Sequence, residues 1–281
     1  MPQPLLAEFQ NGIGPQWNTH LVGGGRAQIV DGALQLRKPV NDGHSYTNAQ
    51  IDDYQTLRRR QFLWRPPLRL TICARFSHDL AWAANETSAS HNNPPPIATG
   101  TAGFGFWNDP FMMTGARWPT LPRAIWFFYS APPSNMPLAM NVPGWGWKAA
   151  TIDAWRWPFG ALAPLAPVAM PLMRLNWFYR RFWPIGQRAI GVSERLIDLS
   201  TTVWRTYVIE WRQDSAHFQI DGETVLSCPT APGGPLGLVI WIDNQYMVVT
   251  PWGALRSGLV ATTAPAWLEI ARVAIEVPIA I

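Results

Sequence analysis

Proline does most to restrict what this chain can become: 27 of its 281 residues are proline, and they punctuate nearly every connection between apolar runs. Each removes a backbone N–H donor and crowds the preceding helical turn, which disfavours long helices and unbroken ladders alike. The stretches left between the prolines are short, and many of them alternate. Ala27-Gln28-Ile29-Val30 leads through Asp31-Gly32 into Ala33-Leu34-Gln35-Leu36. An Asp-Gly pair between two alternating segments signals a hairpin, because both turn residues tolerate positive φ. Residues 68–76, 103–109, 206–211, 217–220, 236–243 and 267–276 read as further strands, and Asp221-Gly222 closes one of them. A polar loop is expected over residues 78–99. Regularly spaced short strands without long helical periodicity predict an all-β antiparallel sandwich of the jelly-roll type.

One stretch breaks the pattern. Residues 131–186 carry prolines at 132, 133, 137, 143, 158, 164, 167, 171 and 184, yet also Trp145, Trp147, Trp155, Trp157, Trp177 and Trp183. The prolines forbid a long helix, and the rings are too costly to leave in water. The expectation is a single domain over 1–281 in which 131–186 is an irregular apolar insertion. Three fates are open to it: folding over a groove to line an apolar pocket, self-association into a homo-oligomer, or contact with a membrane interface through Arg174, Arg180, Arg181 and Arg188. Membrane contact is the less favoured, because a net charge of +4 offers little attraction to anionic lipid.

Composition excludes several classes. Charged residues make up 14% and hydrophobic ones 48%, so the chain can bury a core and is not disordered. Arg58, Arg59 and Arg60 form the one dense basic run, which reads as a solvated surface, so no nucleic-acid partner is expected. The five histidines show no ligand-like pairing, and the two cysteines, Cys73 and Cys228, lack metal spacing, so neither metal nor cofactor is expected. Gly23-Gly24-Gly25 lacks the Lys-Ser/Thr of a phosphate loop, and no G-x-S-x-G elbow occurs. The first residues hold no signal-peptide pattern and no window is apolar enough to span a bilayer, which points to the cytoplasm.

Several motifs carry a resemblance. Trp204-Arg205-Thr206-Tyr207-Val208-Ile209-Glu210-Trp211, followed by Phe218-Gln219-Ile220-Asp221-Gly222, resembles the late strands of concanavalin A-like glucanases, particularly family 16 glycoside hydrolases. Residues 235–241 and 267–275 are similar to the strands that follow, and residues 28–36 to the opening one. The resemblance implies a concanavalin A-like jelly roll with a ligand groove on one sheet. It would also imply an E-x-D-x-x-E or E-x-D-x-E motif on a central strand, whose alternate carboxylates serve as nucleophile and acid/base. The comparable stretch here, Arg123-Ala124-Ile125-Trp126-Phe127-Phe128-Tyr129-Ser130, holds no carboxylate. The fold carries over; the hydrolytic mechanism does not.

Alternation then nominates ligand-binding residues. In 103–109, Phe104 and Phe106 point one way, and Gly103, Gly105, Trp107 and Asp109 the other. In 238–245, Leu238, Ile240 and Ile242 form one stripe; Val239, Trp241, Asp243 and Gln245 form its opposite. If both polar stripes line one groove, Trp107, Asp109, Trp241, Asp243, Asn244 and Gln245 converge there, joined by Trp126 of the acid-free strand. The small glycines would leave room for a ligand. Indole faces beside carboxylates and amides suit sugar rings. The competing reading has the tryptophans packed under the insertion and the acids capping turns. The expected function is binding of a carbohydrate or other ring-bearing, apolar small molecule, without catalysis or with atypical catalysis. Alternatives are an enzyme with a non-standard carboxylate site and an interaction protein that docks a partner or membrane through the insertion.

Overall fold

Both Asp-Gly hairpins form, with Asp31 at φ 50° and Asp221 at φ 51°. A computed structural model describes residues 3–81, 98–111 and 117–278. Most of the polar loop expected over 78–99 lies outside them. The strands assemble into two large antiparallel sheets. One runs β13 (Glu223–Cys228), β12 (Ala216–Ile220), β11 (Arg205–Trp211), β6 (Leu68–Phe76), β17 (Ala266–Glu276), β4 (Ala33–Lys38), β3 (Arg26–Val30), with β1 (Leu5–Glu8) also on β17. The other runs β10 (Ser193–Leu196), β9 (Gly146–Asp153), β8 (Arg123–Ser130), β7 (Thr101–Trp107), β14 (Gly237–Asp243), β5 (Asn48–Asp52), β2 (Asn18–Val22). A separate hairpin pairs β15 (Gln245–Val249) with β16 (Leu255–Leu259). Consecutive hairpins such as β11–β12–β13 and β7–β8–β9–β10 are joined into each sheet by long-range pairings such as β6 with β17 and β7 with β14, as in a jelly roll.

Alternation decides which side chains lie between the sheets. Phe76 and Tyr207 of the first sheet meet Phe104, Phe127 and Trp147 of the second, with ring centroids 5.0 Å apart for Phe104–Tyr207 and 5.2 Å for Phe76–Trp147. All five rings are buried. Each contributes roughly 2–3 kcal/mol from apolar area removed from water, so this ring cluster is a principal adhesive of the sandwich.

Residues 131–186 are not irregular. Their first part supplies β9, a strand paired along its whole length with β8. Its alternation in Gly146-Trp147-Lys148-Ala149 is genuine, with Trp147 and Ala149 turned to the core. The later part is helical: α1 (Trp157–Leu162), α2 (Ala166–Leu172) and α3 (Asn176–Ala189), the last of 14 residues. The expectation that proline forbids a long helix is thus overturned. Pro158 and Pro167 sit in first turns, where the missing N–H has no partner to lose. Pro184 is accommodated inside α3 at the loss of a single rung.

The helices meet the body where Trp183 Nε1 donates to the Leu138 carbonyl (2.9 Å), where Tyr179 packs on Trp252, and where Phe159 and Trp183 join the cluster of Ile152 and Ile190. Ile152 lies on the outer face of β9 beside the aromatic side chains of that sheet. Trp155, Trp157 and Trp177 remain 60%, 82% and 66% exposed.

Candidate functional site

Residues directly opposite each other in an antiparallel ladder share a face. The registers of the seven-stranded sheet therefore trace rows across its outer side, away from Ile51, Ile240, Phe104 and Phe127 of the core. One row reads His20, Gln50, Trp241, Gly103, Phe128, Lys148. The next reads Asn18, Asp52, Val239, Gly105, Trp126, Ala150, Glu194. The face is thus polar at one end, aromatic in the middle and charged at the other.

Four rings make the middle. Trp126 and Phe128 stack at 5.1 Å with planes 17° apart, and Trp241 lies 5.5 Å from Trp126 and 6.0 Å from Phe128. Trp107 stacks parallel to Trp241 at 6.3 Å and stands 5.8 Å from Trp126. The glycines on β7 permit this. A Cβ on Gly103 would come within 3.1 Å of Trp241 Cη2, and one on Gly105 within 2.6 Å of Trp126 Cα and Cβ. The space above the glycines is filled by indole rather than left for a ligand, which corrects that part of the sequence reading.

The rings differ in access. Trp107 and Trp241 are each only 7% exposed, while Trp126 and Phe128 are half-buried. Tyr54, Leu57 and Phe62, from the segment after β5, close over Trp107. Its indole Nε1 donates to the Tyr54 hydroxyl at 2.6 Å, and the Trp241 Nε1 donates to Thr101 Oγ1 at 2.9 Å. Both indole N–H groups are spent inside the protein. The open part of the aromatic floor is Trp126 with Phe128.

At the polar end, Gln50 Nε2 donates to Asp52 Oδ2 at 2.9 Å and Asn18 Nδ2 to Asp52 Oδ1 at 3.3 Å, while the Tyr54 and Gln55 amides reach the same Oδ1. Burial raises the Asp52 carboxyl above its ordinary range, and these hydrogen bonds oppose the rise. At the charged end, Lys148 Nζ lies 3.3 Å from Glu194 Oε2, their side chains 3% and 10% exposed. Burial raises Glu194 as well, against the pull of Lys148 and of the Ala139 amide.

The remaining sequence candidates fall elsewhere. Because β7 and β14 run antiparallel, Trp107 pairs with Gly237 and Thr101 with Asp243. Asp109 and Asp243 therefore stand at opposite ends of the strand pair, whose six steps from Thr101 to Trp107 alone span roughly 20 Å at ~3.3 Å per residue. They do not converge. Asp109 is buried and receives Arg117 Nη1 at 2.8 Å, while Arg117 also binds the carbonyls of Tyr54, Gln55 and Leu57. Asp243 Oδ1 accepts from the Thr101 amide and hydroxyl and from the Gln245 amide, and its own carbonyl accepts from buried Lys38 at 2.8 Å. Burial pushes its carboxyl up to about 6. Asn244 Oδ1 accepts from the Thr47 amide, and its Nδ2 donates to the Ser45 and Val260 carbonyls. Gln245 opens the separate hairpin. These residues tie loops together, the role that the competing reading gave to the acids.

Sequence reasoning missed Asn18, His20, Gln50, Asp52, Lys148 and Glu194. Residues 48–52, Asn-Ala-Gln-Ile-Asp, alternate plainly, but three polar residues in five masked the strand. Lys148 was hidden in the proline-rich stretch. Among the described residues, no three His, Cys, Asp or Glu side chains gather as a metal site requires.

No family model matches this chain, and no curated protein sequence matches it. Solved structures do. One, of the endo-acting O-glycanases that prominent members of the human gut microbiota express to initiate mucin breakdown, superposes with a TM-score of 0.51 at 10% identity, over 96% of this chain and 97% of that one. The catalytic domain of a laminarinase from Thermotoga petrophila gives 0.49 at 12% identity, over 98% of each chain. The β-glucanase of Bacillus licheniformis gives 0.48 at 8%, also over 98% of each. Likeness at such identity speaks to architecture alone, and the architecture is the concanavalin A-like jelly roll, as the strand motifs implied.

Proposed function

We propose that the outer face of the seven-stranded sheet binds a saccharide or another ring-bearing small molecule, with Trp126 and Phe128 as its platform. One observation carries this reading. The two rings stack and stay half-open at the centre of a face whose other central residues are buried, and hydrogen-bonding groups flank them along the same rows. A pyranose presents an apolar C–H face to such a platform, while its equatorial hydroxyls reach outward to donors and acceptors. At the polar end the partly exposed Asn18 and His20 are placed to supply them, while buried Gln50, Asp52, Lys148 and Glu194 bond to one another and hold the face in shape.

Catalysis by paired carboxylates fits less well. Asp52 and Glu194 share a row, but five strand spacings separate them, roughly 24 Å at ~4.8 Å per step. Glycoside hydrolysis uses carboxyl groups about 5–10 Å apart. Strand β8 contributes Trp126 and Phe128 to the face where a family 16 enzyme would carry acids. The reading is therefore a binding module on a glucanase-like scaffold. The solved structures it resembles are named as carbohydrate-active enzymes, which is consistent with a glycan as the ligand.

Isothermal titration against β-1,3- and β-1,4-linked gluco-oligosaccharides and mucin-type glycans tests this. Saturable binding by the native protein, lost in Trp126→Ala with the near-ultraviolet dichroism otherwise retained, is the expected result. No binding across the panel, or equal binding by Trp126→Ala, would overturn it.

A further inference from the structure

We infer that the helical arm from Trp155 to Ala189 docks the protein on the surface of an anionic lipid bilayer, lying in the interface rather than crossing it. Ten of the 22 large apolar side chains left exposed among the described residues fall within residues 155–185. Trp157 is 82% exposed, Val168 68%, Trp177 66% and Leu165 60%, and neither α1 nor α2 has a buried residue. Apolar side chains exposed in such number on one short arm mark an interaction site.

The arm's charge selects the occupant. Between Asp153 and Glu194 the chain has five arginines, Arg156, Arg174, Arg180, Arg181 and Arg188, and no acidic residue. Among the described residues none of the five takes part in an ion pair. The chain's overall charge of +4 understates this concentration. A second copy meeting the same patch would set these arginines against each other, since a two-fold contact is self-complementary. A bilayer with anionic headgroups instead accepts the arginines and the tryptophans together: indole rests at the headgroup level, and long basic side chains reach up to phosphate.

Helix geometry agrees. Tyr179, Trp183 and Gln187, spaced four apart, face the body: Tyr179 against Trp252, Trp183 on Leu138, and Gln187 on the Met140 amide. Trp177, Arg181 and Arg188 share a different stripe, offset by four and seven residues, and all three are exposed. No helix among the described residues is long and apolar enough to cross a membrane. At ~1.5 Å per residue, α3 spans roughly 21 Å, short of the ~30 Å hydrocarbon core.

Flotation with vesicles of phosphatidylcholine alone, and of phosphatidylcholine mixed with phosphatidylglycerol, tests the inference. The native protein should float with the mixed vesicles, weakly with the neutral ones, and less in high salt. Brominated lipid should quench its tryptophan fluorescence. The double variant Trp157→Ser/Trp177→Ser, both sites solvent-exposed, should keep its near-ultraviolet dichroism and lose partitioning about tenfold or more. Arg181→Gln/Arg188→Gln should narrow the gap between mixed and neutral vesicles. Failure to bind mixed vesicles, equal partitioning by the tryptophan variant, or a lipid-free dimer in sedimentation that the variant dissociates would overturn the inference. Because Trp126 lies on the sheet face and not on the arm, Trp126→Ala should leave vesicle binding intact, which separates this outcome from that of glycan binding.

Discussion

Lys148 and Glu194 form an ion pair across the β9–β10 edge, with Nζ 3.3 Å from Oε2 and both side chains almost fully withdrawn from solvent. A pair so placed contributes little net stability as a pair, because desolvation offsets the Coulomb gain, but breaking it strands a buried charge. Glu194→Gln should destabilise the fold by roughly 3–5 kcal/mol, and Lys148→Met/Glu194→Leu should recover most of that loss. Urea denaturation of the single and double variants measures the coupling. Additive losses would show that the two groups do not act as a unit.

The four rings of the aromatic floor should separate by function. Trp107 and Trp241 are buried, their N–H groups bonded to Tyr54 and Thr101. Their replacement by Ala should cost about 3–5 kcal/mol of stability through cavity formation. Trp126→Ala should cost less stability and weaken glycan binding by roughly 1–3 kcal/mol. The sequence alone gives Trp107, Trp126 and Trp241 the same binding role; burial of Trp107 and Trp241 leaves Trp126 as the one of the three with an open face. Thermal unfolding and titration on the three variants distinguish the roles; a large stability loss only at Trp126 would reverse the assignment.

The legible part of this protein is the part governed by period two. The Asp31 and Asp221 hairpins, the apolar stripe of Leu238, Ile240 and Ile242, and the outward turn of Trp107 and Trp241 all follow from alternation and turn chemistry. Convergence of side chains was not legible, because it depends on which strands become neighbours and in which direction. Asp109 and Asp243 look like partners until antiparallel pairing sends them to opposite ends. Lys148 and Glu194 are 46 positions apart with three helices between them, and no local pattern links them. The helices are not legible in proline density, because position decides: Pro158 and Pro167 occupy first turns, where proline is welcome.

Asp53 gives the fold a definite pH response. Its Oδ1 accepts from the Leu238 amide at 2.9 Å and its Oδ2 from the Trp64 indole, and burial pushes its carboxyl up to about 7 from an ordinary 3.8. The folded state therefore holds this proton more tightly than the unfolded chain does. The stability it confers is complete below the unfolded value and is lost as pH rises through about 7. Asp243, raised to about 6, acts in the same direction. Asp53→Asn should flatten the fall in unfolding free energy between pH 4 and 7 by up to ~1.4 kcal/mol per pH unit. Chemical denaturation across that range measures the slope. A variant with the native slope would show that Asp53 is already ionised in the folded protein at pH 5.

Gly105 is where the aromatic floor can be tested without touching a ring. Its φ is 148°, and a Cβ there would stand 2.6 Å from Trp126 Cα and Cβ, closer than real contacts allow. The obstruction is the backbone of the neighbouring strand, the Ile125 carbonyl oxygen at 2.5 Å and the base of Trp126, neither of which can swing aside as a flexible chain end would. Gly105→Ala must then either part β7 from β8 or displace Trp126 from its stack on Phe128 and Trp241. The interior of the sandwich lies on the other face, so the core rings Phe104 and Phe127 should keep their packing. The expected outcome is a folded protein less stable by roughly 1–3 kcal/mol, with an altered near-ultraviolet dichroism and glycan affinity reduced as in Trp126→Ala. Gly222→Ala serves as the control: this glycine also has positive φ, but its Cβ would meet nothing within 4 Å. That variant should lose some stability and no affinity. If Gly105→Ala bound glycan as the native protein does while its aromatic dichroism changed, the stacked platform would not be the binding surface.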